Sequence, residues 1–128
     1  MHRILIVEDS STMLELLAAA LEELEQPVEI TSAASGFEAL RALPRERFDL
    51  ILTDINMPDI NGLELVSFVK QSPRYREIPL VIVSTESSQR DLDRGLGLGA
   101  DAYVAKPFNP EALRELVRDL LARSERAA

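Results

Sequence analysis

The sequence predicts an α/β protein in which a parallel sheet of five strands is covered by helices on both faces. Three short apolar runs rich in Ile and Val, at residues 4–7, 50–52 and 80–83, are continuous rather than alternating. Such runs are typical of strands buried on both faces of a parallel sheet. Apolar residues recur at helical spacing between the strands, and a regular alternation of strand and helix predicts a parallel sheet with helices on both sides.

Each element follows from its local pattern. The strands are predicted at residues 4–7, 28–33, 50–52, 80–83 and 102–105. The first helix is indicated by the i, i+3, i+4, i+7 spacing of Leu14, Leu17, Ala18 and Leu21. The later helices are predicted at residues 36–43, 62–71 and 89–98, and the apolar stripe within residues 113–121 indicates a last helix. We expect the last helix to end near Arg123, which gives one domain over residues 1–124 and a short tail over 125–128.

Glycine and proline punctuate the helical segments. Pro73 ends the third helix, and Gly99 is predicted to cap the fourth at its carboxyl end. Gly95 and Gly97 lie inside the fourth helix, where each costs about 1 kcal/mol relative to Ala. The sequence offers no reason for these two glycines beyond a helix of low intrinsic stability.

The composition indicates one acidic domain. With 128 residues and 46% hydrophobic content, the chain can bury a sizeable core. Its net charge of -8 argues against a broad basic surface for nucleic acid or anionic lipid. The absence of cysteine excludes disulfides, thiolate metal sites and cysteine nucleophiles. Because the first apolar run is short and is followed by acidic residues, we expect a cytoplasmic protein without membrane insertion.

Polar side chains follow four of the predicted strands. In open parallel sheets the ligand site lies beyond the carboxyl ends of the strands. A single carboxylate there is most often a helix cap or a solvated loop residue, but three held together repel each other unless a cation lies among them. Oxygen ligands suit a hard cation such as Mg²⁺. The side chains in question are Glu8, Asp9, Asp54, Ser84, Thr85 and Lys106.

Four motifs carry a family resemblance. They are "ILIVEDS", "DLILTDINMPDINGLEL", "PLVIVSTE" and "GADAYVAKPF", in this order along the chain. Together they resemble the receiver domain of two-component response regulators, specifically its free-standing CheY type, over nearly the whole chain. The resemblance implies a flavodoxin-like doubly wound (βα)5 fold, with a five-stranded parallel sheet of order 2-1-3-4-5 and helices on both faces.

The resemblance implies a phosphorylation site at the carboxyl edge of the sheet. Asp54 corresponds to the aspartate that accepts a phosphoryl group from the phosphohistidine of a histidine kinase. The side chains of Glu8, Asp9 and Asp54 and the backbone carbonyl of Asn56 correspond to the Mg²⁺ ligands. Lys106 corresponds to the lysine that pairs with the phosphoryl group. These groups fit phosphoryl transfer, in which the protein mainly aligns the reactants and neutralises charge.

The resemblance also implies a switch and a gate. Ser84 corresponds to the hydroxyl that bonds the phosphoryl oxygen, and the spacing to Lys106 favours it over the neighbouring Thr85. Tyr103 corresponds to a switching aromatic, although a half-buried strand residue is an equal alternative. The side chains of Asn56 and Glu86 correspond to the gate for hydrolytic water. The implied partners are a histidine kinase and a separate effector protein that reads the face formed by helix 4, strand 5 and helix 5, with the chain a monomer or weak dimer.

Three other classes of protein share part of this pattern. A haloacid-dehalogenase-type phosphatase also uses an aspartate nucleophile, Mg²⁺ and lysine, but it needs a second aspartate at the position of Asn56 as general acid. A receiver-like interaction module that takes no phosphate usually lacks the acceptor, an acidic residue or the lysine, and all of these are present. A flavin- or nucleotide-binding domain needs a phosphate loop after the first strand, where this chain is acidic.

Overall fold

The computed structural model describes residues 1–85 and 89–127, with side chains up to Arg123. Strands and helices alternate along this part of the chain, as the sequence predicts. The strands are β1 (His2–Val7), β2 (Val28–Ala33), β3 (Leu50–Thr53), β4 (Leu80–Ser84) and β5 (Ala102–Ala105). The helices are α1 (Ser11–Glu22), α2 (Gly36–Ala42), α3 (Gly62–Gln71), α4 (Gln89–Gly97) and α5 (Pro110–Ala127). No helix in the described part of the chain has the length and apolar character needed to span a membrane.

The element boundaries agree with the predictions except at a few ends. β2, β5 and α3 begin and end at the predicted residues. β1 begins earlier, at His2, because its first residues pair with the start of β2. The predicted end of the last helix near Arg123 is wrong, since α5 continues to Ala127. The last four residues of α5 include no glycine or proline, and a helix rich in Arg, Glu and Ala has no reason to stop there.

The strands form one parallel sheet of order β2-β1-β3-β4-β5. This order confirms the predicted doubly wound fold, and its switch point lies between β1 and β3. Val7 of β1 lies beside Ala33 of β2 and Thr53 of β3, while Ser84 of β4 lies beside Ala105 of β5. Residues that follow β1, β3, β4 and β5 therefore emerge at one edge of the sheet.

The core consists of two apolar layers, one on each face of the sheet. Side chains of β1 alternate between them. Leu5 and Val7 pack in the layer that includes α2 and α3, whereas Ile4 and Ile6 pack against α1 and α5. All four are essentially fully buried, and burial of each contributes roughly 1.5–3 kcal/mol. The sheet is thus a rigid platform for the residues at its edge.

A buried lysine ties α3 to the amino end of the sheet, opposite the strand ends where polar residues were predicted to meet. Lys70 Nζ donates to the carbonyl oxygens of Ile78 at 2.7 Å and Arg76 at 3.2 Å. It also pairs with Asp101 Oδ2 at 2.9 Å, and that oxygen accepts the amide of Leu80 at 2.8 Å. The network satisfies backbone groups that the turn before β4 would otherwise leave exposed or unpaired.

The structure supplies a reason for one of the two glycines inside α4. A Cβ added to Gly95 would lie 2.5 Å from Cδ1 of Ile82 in β4, so this glycine lets α4 approach the sheet closely. A Cβ added to Gly97 would meet nothing within 4 Å, and nothing in the structure explains that glycine. Gly99 has a φ of 111° and follows the helix, which confirms its predicted capping role.

The different surroundings of Gly95 and Gly97 predict that alanine at these positions has opposite effects on stability. Gly97→Ala is expected to raise the free energy of unfolding by about 0.5–1 kcal/mol, because it gains helix propensity without a clash. Gly95→Ala gains the same propensity but forces Ile82 to shift, and overpacking of this kind costs about 1–3 kcal/mol. Urea unfolding followed by far-ultraviolet circular dichroism compares the two. Equal stabilities of the two variants would contradict close packing of α4 on β4.

Candidate functional site

Two carboxylates meet at the switch point because their strands are neighbours. Glu8 follows β1 and its amide donates to the Ala33 carbonyl at 2.9 Å, while the amide of Asp54, after β3, donates to the Val7 carbonyl at 3.1 Å. These bonds extend the ladders by one residue and fix both backbones. Glu8 is 2% exposed and Asp54 is 9% exposed. Two acidic groups are therefore held side by side and largely out of water.

Lys106 reaches both carboxylates from the opposite side of the site. Its amide donates to the Ser84 carbonyl at 3.0 Å, which extends the β4–β5 ladder. Its Nζ lies 3.0 Å from Asp54 Oδ2 and forms a second ion pair with Glu8 Oε1. Burial lowers the pKa of Lys106, but the hydrogen bonds to Glu8 and Asp54 outweigh it and raise the pKa above 10.5. The lysine therefore carries its charge at neutral pH.

The carboxylate of Asp54 is held by the backbone as well as by the lysine. Oδ1 accepts the amides of Ile55 at 2.6 Å and Asn56 at 3.3 Å, and Oδ2 faces Lys106. Burial raises the pKa of Asp54, but the hydrogen bond and the charge of Lys106, together with the amide of Ile55, outweigh it and lower the pKa below its ordinary 3.8. The Asp54 carboxylate is thus ionised and held in a fixed orientation.

Glu8 is the less well satisfied of the two acids. Its Oε1 is paired with Lys106, but within the described residues its buried Oε2 has no hydrogen-bond partner. Burial raises the pKa of Glu8 above 4.5, and neighbouring Asp54 raises it further against the opposing effect of Lys106. One ammonium group therefore serves two buried carboxylates and leaves an acceptor atom without a donor.

This arrangement fits a divalent cation. Carboxylate oxygens of Glu8, Asp9 and Asp54 lie within 4.8 Å of one another. Asp9 is exposed, so a cation held here would keep contact with water, as Mg²⁺ does in most protein sites. Such an ion would satisfy Oε2 of Glu8 and offset the excess negative charge. The donor set and the orphaned oxygen thus agree with the predicted Mg²⁺ ligands.

The remaining predicted site residues lie around this centre. Ser84 is fully buried at the end of β4, whereas Thr85 is exposed, which agrees with the choice of Ser84. Tyr103 is half-buried in β5. Asn56 is exposed in the loop that follows the predicted acceptor. Glu86 lies outside the described residues.

Sequence reasoning missed one contact of the loop at residues 54–62, called the acceptor loop here because it begins at the predicted acceptor, Asp54. The carboxylate of Asp59 accepts the backbone amides of Gly36 and Phe37, so the loop is bonded to the start of α2. Asp59 stands in a turn-like "MPDING" segment, where an aspartate is expected to bond its own turn. No local pattern could have identified a partner that lies more than twenty residues earlier in the chain.

Comparison with known proteins identifies the family of this chain. The family model for the response regulator receiver domain matches residues 4–118. A chemotaxis protein CheY homolog of Campylobacter jejuni is 36% identical over 120 residues, 93% of this chain and 92% of the relative. Chemotaxis protein CheY1 of Helicobacter pylori is 33% identical over 124 residues, 96% of this chain and 99% of the relative. This chain belongs to the response regulator receiver family.

A solved structure agrees with the assignment. The CheY-like response regulator receiver domain protein of Methanospirillum hungatei matches this receiver with a TM-score of 0.88 and 34% identity, over 100% of this chain and 99% of that one. The predicted resemblance to CheY-type receivers and the predicted fold class are both confirmed. The receiver is a component of two-component signalling, and its acidic pocket is the kind of site at which such domains bind Mg²⁺.

The unequal environments of its two buried acids predict how the metal-free receiver responds to substitution. Glu8→Gln is expected to raise the free energy of unfolding at neutral pH by on the order of 1 kcal/mol, because it removes one of two charges that share Lys106 and keeps an acceptor. Asp54→Asn should stabilise less, because it loses a carboxylate that the fold favours in its ionised form. Urea unfolding in EDTA compares the variants, and a larger gain for Asp54→Asn would contradict the geometry.

The same pair predicts a stability maximum in weak acid. The pKa of Glu8 is raised above 4.5, so its favourable contribution is complete below that pH and is lost as pH rises through the raised pKa. The pKa of Asp54 is lowered below 3.8, so its contribution is present above that pH and is lost as pH falls further. Glu8→Gln should remove the decline toward neutral pH. Unchanged pH profiles in this variant would assign the decline to other groups.

Proposed function

We propose that this receiver takes a phosphoryl group from the phosphohistidine of a histidine kinase onto Asp54. An oxygen of Asp54 bonds to phosphorus, the bond from phosphorus to the histidine nitrogen breaks, and the nitrogen leaves with the electron pair. The observation that carries the proposal is a buried, ionised carboxylate held by two amides and a lysine. Because Oδ1 is engaged by the amides of Ile55 and Asn56, we assign the attack to Oδ2, beside Lys106.

The neighbouring groups neutralise the charge of the transferred phosphoryl group. Lys106 Nζ already lies beside Oδ2, so it can pair with a phosphoryl oxygen there. Ser84, at the end of the adjacent strand, is assigned to hydrogen-bond a second oxygen. Fixed charges and donors of this kind supply most of the catalysis in phosphoryl transfer. When bound, Mg²⁺ would supply further positive charge for the transfer, and the groups assigned to hold it are Glu8, Asp9, Asp54 and the backbone carbonyl of Asn56.

We propose that the phosphorylated state is short-lived, because the receiver promotes its own dephosphorylation. Hydrolysis of the acyl phosphate requires a water in line with the phosphorus, and Asn56 is an exposed residue of the acceptor loop. We assign Asn56 and Glu86 to gate this water. We propose that the receiver catalyses only the gain and loss of its own phosphoryl group and turns over no other substrate. A phosphatase of the haloacid-dehalogenase type would need an acid where Asn56 stands.

Output is assigned to a separate effector protein in the cytoplasm. Residues 1–124 would act as the receiver unit, with the final residues outside it. Phosphorylation would draw Ser84 toward the phosphoryl group and let Tyr103 move inward, so that the face of α4, β5 and α5 changes for the effector. A ligand shifts such an equilibrium only by its differential affinity for the two states, and the Ser84 and Lys106 contacts supply that difference.

Intact-mass measurement tests the proposed reaction directly. Acetyl phosphate and phosphoramidate, which carries a P–N bond as phosphohistidine does, are each expected to add one phosphoryl group in Mg²⁺ and none in EDTA. Asp54→Asn should block the addition, whereas Asp119→Asn, an exposed aspartate on α5, should not. A wild-type protein that stays unmodified with both donors would leave a phosphorylation-independent interaction module. Release of phosphate from a free phosphoester would instead favour the phosphatase.

A further inference from the structure

The acceptor loop is bonded to α2 through one carboxylate. Asp59 Oδ2 accepts the amide of Phe37 at 2.8 Å, and Asp59 Oδ1 accepts the amide of Gly36 at 3.0 Å. Oδ1 also accepts the amide of Ile60 at 2.7 Å. The first two donors are the leading amides of α2, which have no partner within their own helix. One side chain thus satisfies a helix terminus and fixes the loop that carries it.

Side-chain packing reinforces this bond. A Cβ added to Gly36 would lie 2.1 Å from Cγ1 and 2.6 Å from Cδ1 of Ile60, so Ile60 rests directly on the backbone of α2. Glycine at position 36 makes this approach possible. The loop therefore touches α2 through two consecutive residues, one polar and one apolar.

The other end of the loop is anchored at the acceptor itself. The amide of Gly62 donates to the Ile55 carbonyl at 2.7 Å, and a Cβ added to Gly62 would lie 1.9 Å from the carbonyl oxygen of Asp54. The amide of Asn56 donates to Asp54 Oδ1. Asn56 therefore lies between an anchor at Asp54 and an anchor at Asp59.

We propose that Asp59 is a positioning residue for the phosphorylation site. By tying the acceptor loop to α2, it holds Asn56 where its carbonyl can meet Mg²⁺ and where its amide orients the carboxylate of Asp54. The inference rests on the proposed function, because the metal and phosphoryl chemistry belong to that proposal. Preorganised geometry of this kind is what a phosphoryl-transfer site requires, and small displacements are costly in rate.

The Asp59 carboxylate is ionised at neutral pH, so it keeps its bonds to the amides of α2. Partial desolvation raises the pKa of Asp59, but hydrogen bonds from the amides of Phe37, Ile60 and Gly36 outweigh it and lower the pKa to about 2. Asp59 is itself exposed, so its substitution leaves no buried cavity. Variants at this position should therefore fold, and their effects can be read as local ones.

Two conservative substitutions separate geometry from charge. Asp59→Asn keeps the shape but replaces one acceptor oxygen by a donor, while Asp59→Glu keeps the charge but displaces it by one methylene. The control is Glu38→Ala, because Glu38 Oε2 accepts the Ala34 amide at 3.1 Å at the same helix terminus without touching the loop. The readouts are Mg²⁺ affinity by calorimetry, amide hydrogen exchange of residues 55–61 without phosphodonor, and the phosphorylation rate with acetyl phosphate.

We expect both Asp59 variants to weaken Mg²⁺ binding by about 3- to 10-fold, to slow phosphorylation by about 10-fold, and to speed loop exchange by about 10-fold or more. Glu38→Ala should lower the melting temperature without these effects. Wild-type values for Asp59→Glu would assign the effect to charge and overturn the proposal. Wild-type affinity, rate and exchange in both variants would reduce Asp59 to a helix cap. A wild-type protein that takes no phosphoryl group would refute the proposed function, while affinity and exchange would still decide the role of Asp59.

Discussion

Lys106→Met is expected to slow phosphorylation of Asp54 by about 100-fold and to lower the free energy of unfolding by about 3 kcal/mol or more. The rate falls because the substitution removes the ammonium group that lies beside Asp54 Oδ2. Stability falls because Glu8 and Asp54 are both largely buried and lose their shared counter-charge. Removal of one partner from a buried ion pair is costly because it leaves the other charge uncompensated.

A second buried lysine provides the control. Lys70 is also largely buried, with 12% of its side chain exposed, and it pairs with Asp101 at the opposite end of the sheet. Lys70→Met should therefore reduce stability and leave the phosphorylation rate unchanged. The rate is measured with acetyl phosphate at saturating Mg²⁺, and stability by urea unfolding in EDTA.

A double substitution then separates the two roles of Lys106. Glu8→Gln combined with Lys106→Met should recover part of the lost stability, because one buried negative charge is removed with the positive one. It should recover none of the rate. A Lys106→Met protein that is phosphorylated as fast as wild type would remove the lysine from the chemistry and leave it a purely structural counter-ion.

The arrangement of the site could be predicted because parallel sheets order their strand ends. Glu8, Asp54, Ser84 and Lys106 each directly follow or end a strand, and the strands lie side by side in the order β1-β3-β4-β5. A residue's position after a strand therefore determines which edge of the sheet it reaches. Apolar runs were enough to locate the strands, so the convergence of these side chains followed without any side-chain geometry.

What the sequence could not predict depends on contacts between distant segments. The close approach of Gly95 to Ile82 appears only once α4 is seated on β4. The opposite pKa directions of Glu8 and Asp54 arise because burial outweighs the hydrogen bond from Lys106 at Glu8, whereas at Asp54 the hydrogen bond and the charge of Lys106 help to outweigh burial. The bond from Asp59 to Phe37 joins two loops that no periodicity relates. In each case the chemistry of the residue was evident and its partner was not.

The proposed switch residues lie on one face of the sheet. Ile82 packs in the layer that includes α2 and α3, and Tyr103 packs against the same layer; the two are paired neighbours in β4 and β5. Ser84 follows Ile82 by two residues and so points to the same face. Gly95 lets α4 pack closely on Ile82. A movement of Ser84 or Tyr103 would therefore change the packing directly beneath this helix.

Beryllofluoride, a stable phosphoryl mimic, is therefore expected to change amide hydrogen exchange well beyond the acceptor loop. We expect altered protection in residues 54–62, where the mimic is bound, and also in residues 89–106, which include α4 and β5. A change of about 10-fold in exchange rate corresponds to about 1.4 kcal/mol, which is within the range of coupling between sites in one domain. The two glycines in α4 favour a response there, because a helix of low intrinsic stability costs less to move.

Ser84→Ala supplies the matched variant for this experiment. It removes the hydroxyl assigned to the phosphoryl oxygen and leaves the acceptor, the lysine and the acidic groups in place. The variant should still bind beryllofluoride at Asp54 and show protection in residues 54–62, but the change in residues 89–106 should be largely lost, because the differential contact that drives the inward state is missing. Protection changes confined to residues 54–62 in the wild type would mean that an effector reads the phosphoryl-bearing loops directly. If exchange in residues 89–106 still changes in Ser84→Ala, the signal from Asp54 to α4 would be assigned to Lys106. The amide of Lys106 donates to the carbonyl of residue 84 at 3.0 Å.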